Sequence, residues 1–404
     1  MGVSDVATQV LGSIRARGTY RRMRVLEGAQ RPRMRVDGRD VLVFAGSNYL
    51  DLAHHPAVVD ACARAARDYG CAAGGSRLIT GNLDLHEALE AELADFFGSE
   101  AALVFNTGYM ANLGVIPALV GPADLLVSDE LNHASIIDGA RLSQARVQIF
   151  PHGDADALEQ ILRRASPGKQ RVLLALEGVY SMDGDLAPIG TLVKLAKQHG
   201  AMVLVDDAHG TGTLGARGRG TPEHCGVTEG IDVHVGTLGK ALGCFGAFIA
   251  GSHALRALLV NVARSFIFSC ALSPPQVQAA RAALRLIDVE PWRRWALQCR
   301  AARLRERLAA SGISTEPSRT HIVPVVIGEN DGTMAVCERL LARGFYAQGI
   351  RHPSVPAGTA RLRITAMATH SPEEIDALAT AVAEEVGRSA STDAPGSQSA
   401  HSKV

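Results

Sequence analysis

Lys240 stands in Val-Gly-Thr-Leu-Gly-Lys-Ala-Leu-Gly (235–243), and Val-Asp-Asp-Ala-His (205–209) lies upstream of it. A primary amine can hold an aldehyde as a Schiff base, and a nearby carboxylate can keep a pyridine nitrogen protonated. Glycines and small hydroxylated residues let backbone and side chain approach a phosphate. Either segment alone is a weak signal, because a Gly-Lys pair is commonly a solvated loop lysine and Asp-Asp-Ala-His can be a surface turn. Their positions make them stronger together. The apolar, β-favouring run 201–205 ends directly at Asp206, and the strand-like run 231–236 ends directly at Thr237 and Lys240. Ligands of open α/β sheets bind beyond the carboxyl ends of strands, so both polar sets are expected to face one crevice.

Elements that could position these groups recur along the chain. Residues 85–97 carry apolar side chains at helical spacing with Gly98 as a stop, and 101–105 read as a strand. Asn106-Thr-Gly-Tyr-Met-Ala-Asn112 is then a strand-to-helix turn whose free N–H groups suit a phosphate. The rhythm repeats through a strand at 171–176, a loop at 177–185 and a helix at 189–199. Such repetition implies an α/β fold with a mostly parallel central sheet and helices on both faces. After Pro275, helical patterns at 278–287 and 295–310 lead to short strands at 322–327 and 360–365, a smaller α+β C-terminal domain. The expected division is an N-terminal helix and arm (1–50), a large domain (51–286), a small domain (287–388) and a disordered tail (389–404).

With 404 residues the chain exceeds one ordinary domain. Its 41 basic and 41 acidic residues balance, which argues against nucleic acid or an anionic membrane as a partner. No apolar run is long enough for a membrane helix, and the first residues lack the apolar core of a signal peptide. Seven scattered cysteines without a Cys-x-x-Cys pair favour free thiols in a cytoplasmic setting and no structural metal site. The arginine-rich stretch 15–35 reads as a solvated basic face, since no aromatic platform accompanies it. The 389–404 stretch is small and polar, too poor in apolar surface to order itself.

Glu177-Gly-Val-Tyr-Ser-Met-Asp-Gly-Asp185, Asp206-Asp-Ala-His209-Gly-Thr-Gly, Thr237-Leu-Gly-Lys240-Ala-Leu-Gly and Pro356-Ala-Gly-Thr-Ala-Arg361-Leu-Arg363-Ile-Thr, in this order, resemble the α-oxoamine synthases, with similarity running from about residue 21 to 386. These are pyridoxal-phosphate transferases of fold type I that condense a small amino acid with an acyl thioester and lose carbon dioxide. The segments 74–82, 218–221 and 349–356 are most similar to the biotin-pathway branch. That similarity implies L-alanine and pimeloyl-CoA, or pimeloyl-acyl carrier protein, as substrates and 8-amino-7-oxononanoate as product.

The resemblance also implies roles. Lys240 would hold the cofactor aldehyde and act as base at the substrate Cα, Asp206 would pair with the ring nitrogen, His133 would stack on the ring, and His209 would contact its phenolic oxygen. Ser181 matches a further cofactor-pocket position. Thr237 and the backbone of Gly108 and Tyr109 would hold the phosphate. Arg363 matches the arginine that grips the amino-acid carboxylate, a task for a planar bidentate donor. Arg351 and Asn48 match positions near the same group, Arg21 and Ser354 match acyl-side positions, and Ser76 stands where a bulkier residue would crowd an alanine methyl.

Two departures stand out. The family has a threonine that reaches the phosphate of the partner subunit in a homodimer with shared sites; this chain has Cys270 there, a weak donor, which leaves Ser269 or backbone for the task. Ser354 replaces a threonine, keeping the hydroxyl and losing a methyl. Rival readings are a glycine C-acetyltransferase (2-amino-3-oxobutyrate ligase), a serine palmitoyltransferase, an aminotransferase, and a silent regulatory subunit; intact Lys240, Asp206 and His209 argue against the last.

Overall fold

The computed structural model describes residues 1–165 and 170–392. Its strands in chain order are β1 (Leu26–Glu27), β2 (Arg33–Val36), β3 (Arg39–Val43), β4 (Ala101–Phe105), β5 (Leu125–Asp129), β6 (Arg146–Phe150), β7 (Val172–Glu177), β8 (Met202–Asp206), β9 (Val233–Thr237), β10 (Ala247–Gly251), β11 (Ile322–Gly328), β12 (Phe345–Tyr346), β13 (Gln348–Ile350) and β14 (Ala360–Thr365). Seven of them form the central sheet in the order β4-β10-β9-β8-β7-β5-β6. Pairs from β6 through β9 are parallel, and β10 runs antiparallel to both β4 and β9.

Two-residue alternation divides the apolar residues of this sheet between two cores. Leu173, Ala175 and Leu204 pack on one face, with Ala111, Val115 and Ile116 of the helix Gly108–Leu119. Leu174, Leu176, Val203 and Val205 pack on the other, with Leu158 and Leu192 of the helices Ala155–Arg164 and Ile189–Gln198. Burial on both faces explains why β7 reads as an unbroken apolar run. The expected mostly parallel, two-face-covered sheet is the one observed. The sequence reading passed over the edge strand β6, whose side chains are largely solvent-facing, and over β5 and β10.

The helix Asp84–Phe97 stops at Gly98, which adopts φ +67. A left-handed residue there costs glycine nothing, and the following Ser99 N–H closes the end on Ala94 O. The C-terminal part carries an antiparallel sheet, β11-β14-β13, and the long helices Pro274–Val289 and Trp292–Ala310 share one core with it.

Two features differ from the expected division. The arm is not separate, since β12 pairs with β3 and ties β1–β3 into one sheet with the C-terminal part. The helix Pro372–Thr392 runs through the start of the segment expected as a tail, its Ile375, Leu378 and Val382 anchoring it in the core, and 393–404 lie outside the described residues. Among the described residues no helix is long and apolar enough to cross a membrane.

Candidate active site

Asp206, the last residue of β8, and Asp207 just after it point to opposite sides, continuing the alternation of the strand. Asp206 follows Leu204 to the face covered by Gly108–Leu119, where Asn112 Nδ2 donates to its Oδ2 at 2.6 Å. Asp207 turns away and is fully buried against Thr221, taking the Thr221 hydroxyl at 2.6 Å and its N–H at 2.9 Å. A Cβ on Gly178, Gly210 or Gly220 would fall 2.1, 2.2 or 1.6 Å from an Asp207 carboxylate oxygen, so glycines make room for this knot. Burial pushes the Asp207 carboxyl up to about 7.

Asn112 extends the contact sideways. Its Nδ2 also lies 2.9 Å from Ser135 Oγ, which is 2.8 Å from His133 Nδ1. His133 is the N-cap of Ala134–Ser143, accepting the Ser135 N–H, so local capping fixes its ring. Burial holds the His133 imidazolium below its usual range.

On the opposite side, Lys240 Nζ lies 3.0 Å from His209 Nε2, and His209 Nδ1 lies 2.8 Å from Tyr49 Oη. Tyr49 Oη in turn accepts from Arg363 Nη2 at 3.4 Å, while Arg363 Nε donates to the Ser181 carbonyl. Burial keeps the Lys240 ammonium below the usual lysine range, which favours the free amine. His209 is held well below its usual range by burial first and by the nearby Lys240 and Arg363 side chains second, so it is neutral. Glu177, opposite Asp206 across β7 and β8, is pushed well above the carboxylate range by burial first and by Asp206 second.

Anion-binding capacity sits one turn away. Thr107 caps the helix Gly108–Leu119, its hydroxyl taking Met110 N–H and its carbonyl taking Ala111 N–H. The N–H groups of Gly108 and Tyr109 have no acceptor among the described residues, and a Cβ on Gly108 would meet open space. Thr237 lies at the end of β9, with its hydroxyl donating to Gly246 O and accepting Gly239 N–H.

A cavity of about 620 Å³ opens beside this centre, walled by Leu131 and His133 on one side and by Ser181, Asp183, Ser354 and Arg361 on the other. Arg21 Nη2 donates to Ser354 Oγ at 3.2 Å there. The remaining expected residues stand elsewhere. Arg351 reaches back to the Tyr20 carbonyl and lines a separate cavity of about 480 Å³. Asn48 is engaged locally, accepting Leu52 and Ala53 N–H and donating to Gln30 O and Asp51; its neighbour Tyr49 is the one that enters the centre. Ser76 bridges to Cys270, whose carbonyl accepts from Asn106 Nδ2 beside the anion-binding turn, and Ser269 donates to Ser265 O.

A match to the aminotransferase class I and II family covers residues 39–382. An 8-amino-7-oxononanoate synthase of Geobacter sulfurreducens is 50% identical over 375 residues, 92% of this chain and 96% of that protein. The chain belongs to the α-oxoamine synthases. Among solved structures, a serine palmitoyltransferase of S. paucimobilis bound to pyridoxal phosphate and myriocin matches with a TM-score of 0.91 at 32% identity, over 97% of this chain and 100% of that one. An 8-amino-7-oxononanoate synthase of Francisella tularensis matches with a TM-score of 0.75 at 26% identity, over 86% and 98%. The α-oxoamine synthase fold is thus fold type I.

Its cofactor is pyridoxal phosphate, and this α-oxoamine synthase has the donor set for it: a buried amine, a buried carboxylate, and two N–H groups at a helix start that are uncommitted among the described residues. Tyr49, Asn112, Ser135 and Glu177 were not singled out from the sequence as site residues. Asn112 had a signal, since it lies one helical turn after Gly108 and so faces the same side.

Proposed function

We propose that the chain condenses L-alanine with a pimeloyl thioester, on CoA or acyl carrier protein, to give 8-amino-7-oxononanoate, the free thiol and carbon dioxide, as a cytoplasmic homodimer with shared active sites. The observation that carries this reading is the run of contacts from Lys240 through His209 and Tyr49 to Arg363, with the Asn112-held Asp206 as a separate carboxylate whose charge acts on Lys240, in a chain half identical over nearly its whole length to an 8-amino-7-oxononanoate synthase.

Bound pyridoxal phosphate supplies a conjugated ring that accepts electrons from the substrate Cα. Lys240 would hold the aldehyde and, with burial lowering the basicity of its amine, take and return the proton at the substrate Cα. Asp206 keeps the proton on the ring nitrogen, with Asn112 fixing its orientation. His133, locked by its own cap, would support the ring, neutral His209 would hydrogen-bond to its phenolic oxygen, and Ser181 would complete the pocket wall. Gly108 and Tyr109 N–H groups and Thr237 hold the phosphate; Ser269, or the backbone beside Cys270, reaches it from the partner subunit.

Arg363, aimed by the Ser181 carbonyl, grips the amino-acid carboxylate. Arg351 and Asn48 support that end indirectly, through the arm and the turn that carries Tyr49. Ser76, which stands beside Cys270, would leave room for the alanine methyl only where the partner subunit completes the shared site, and Arg21 with Ser354 receives the acyl chain.

Thiol release and product mass, measured across acetyl-, pimeloyl- and palmitoyl-thioesters with glycine, alanine and serine, test the reading. L-Alanine with the pimeloyl thioester is expected to have the highest kcat/KM. An acetyl or palmitoyl product dominating a competition mixture would overturn the substrate assignment and leave the family intact.

A further inference from the structure

His152 lies outside the network just described, immediately after β6, yet it meets a carboxylate at each ring nitrogen. Its Nδ1 is 3.0 Å from both oxygens of Asp129, at the end of β5, and its Nε2 is 2.7 Å from Asp185 Oδ2. Its backbone N–H donates to Glu130 Oε1 at 2.9 Å. A carboxylate can only accept, so both ring nitrogens are donors and the ring is an imidazolium. Asp129 is itself fixed by Leu131 and Gly153 N–H groups, and its side chain is fully buried.

Asp129 and Asp185 do not line the 620 Å³ cavity themselves but adjoin in sequence the segments that form its two walls, 130–134 and 180–183. Asp129 leads into Glu130, Leu131, Asn132 and His133; Asp185 closes the loop that carries Ser181, whose carbonyl aims Arg363, and Asp183, which pairs with Arg361. The groups facing His152 are Asp129 and Glu130 from the β5 end, and Tyr180, Asp183 and Asp185 from the loop. The Tyr180 ring stands edge-on at 4.3 Å. Tyr180 stays a neutral phenol, raised well above its usual range by burial. Without the imidazolium, two buried carboxylates would face each other with nothing between them.

We infer that His152 is a positioning residue that joins the two walls of the substrate cavity and so sets the aim of Arg363. The inference rests on the proposed reading of Arg363 as the carboxylate-binding group. Burial opposes the charged ring, and the bonds and charges of Asp129 and Asp185 override it, holding the imidazolium up to about 10. The joint therefore persists through neutral pH.

The test uses the holoenzyme and its His152→Gln and Asp185→Asn variants. Amino-acid binding without thioester is followed by the visible spectrum of the bound cofactor, alongside kcat, thioester KM and melting temperature. His152→Gln is expected to weaken amino-acid binding and raise thioester KM by about tenfold, with cofactor retention and kcat within about threefold of wild type.

Asp185→Asn keeps an acceptor for Nε2 and removes one charge, so it covers the case in which the first variant fails to fold. Losing that charge lowers the His152 pKa, so the pH at which amino-acid affinity declines should move down from the wild-type value. A loss confined to kcat or folded fraction, with unchanged binding and an unmoved pH profile, would overturn the inference. The wild type's response to alanine, glycine and serine reports separately on the proposed reaction, and the variant-to-wild-type ratio for whichever amino acid binds reports on the wall joint.

Discussion

The centre around Lys240 and the mouth of the cavity are built in opposite ways. At the centre, Asp206, His209 and Arg363 are all buried and fixed by side chains and carbonyls from β8, β14, the turn at Tyr49 and the helix Gly108–Leu119. At the mouth, Arg21 and Ser354 are exposed, both come from loops, and one 3.2 Å hydrogen bond joins them. Buried donors and charges set before substrate arrives need no reorganisation during reaction, whereas exposed ones are screened and adaptable. The chemistry is therefore stiff and the donor preference pliable.

The largest break in this contrast is Lys240→Ala, which should abolish the visible absorbance of the bound cofactor and lower turnover by about 10³-fold or more. Absorbance spectra and product mass check it. Next, Asp206→Asn should retain cofactor and lose about 10²-fold or more in kcat, because a neutral amide no longer stabilises a protonated ring nitrogen. Cα-proton exchange of alanine by NMR would register the loss.

At the mouth the effects should be far smaller. Arg21→Ala and Ser354→Ala should raise thioester KM by about two- to fivefold and leave alanine binding unchanged. Steady-state kinetics with each substrate varied in turn would show the split.

A stability measurement sharpens the scaffold side of the comparison. His234, in β9 ahead of Thr237, is buried among Phe97 and Phe248, and burial holds it at about 4. In the unfolded chain it takes a proton below about 6.5, and in the folded one it does not until about 4. Its contribution is thus present above 6.5 and lost as pH falls toward 4. His234→Phe should remove that dependence, gaining about 1.4 kcal/mol relative to wild type per pH unit of acidification in this window. Denaturant unfolding at pH 7 and pH 5 compares the two slopes.

The same division governs what the sequence disclosed. Strands β4 and β14 and the helix Asp84–Phe97 were legible within one residue, because buried runs, helical spacing and a stop glycine are local signals. The divergence of Asp206 and Asp207 follows from alternation alone. Tyr49 was hidden because its relevance depends on the fold bringing to it His209, 160 positions along the chain. Arg351, just after β13, sits in a recognisable segment, but its contact with the Tyr20 carbonyl was not legible because it joins positions far apart in the chain. The arm's union with the C-terminal part through β3 and β12 was also out of reach, since a two-residue strand carries no period.

The chain has only five lysines, at 169, 194, 197, 240 and 403, which makes the central claim unusually open to a direct check. The holoenzyme is reduced with borohydride, digested, and the cofactor mass located by peptide mass spectrometry. The account predicts one modified peptide, containing Lys240, and none in the Lys240→Ala variant. Cofactor mass fixed on any other lysine in the native enzyme would contradict it.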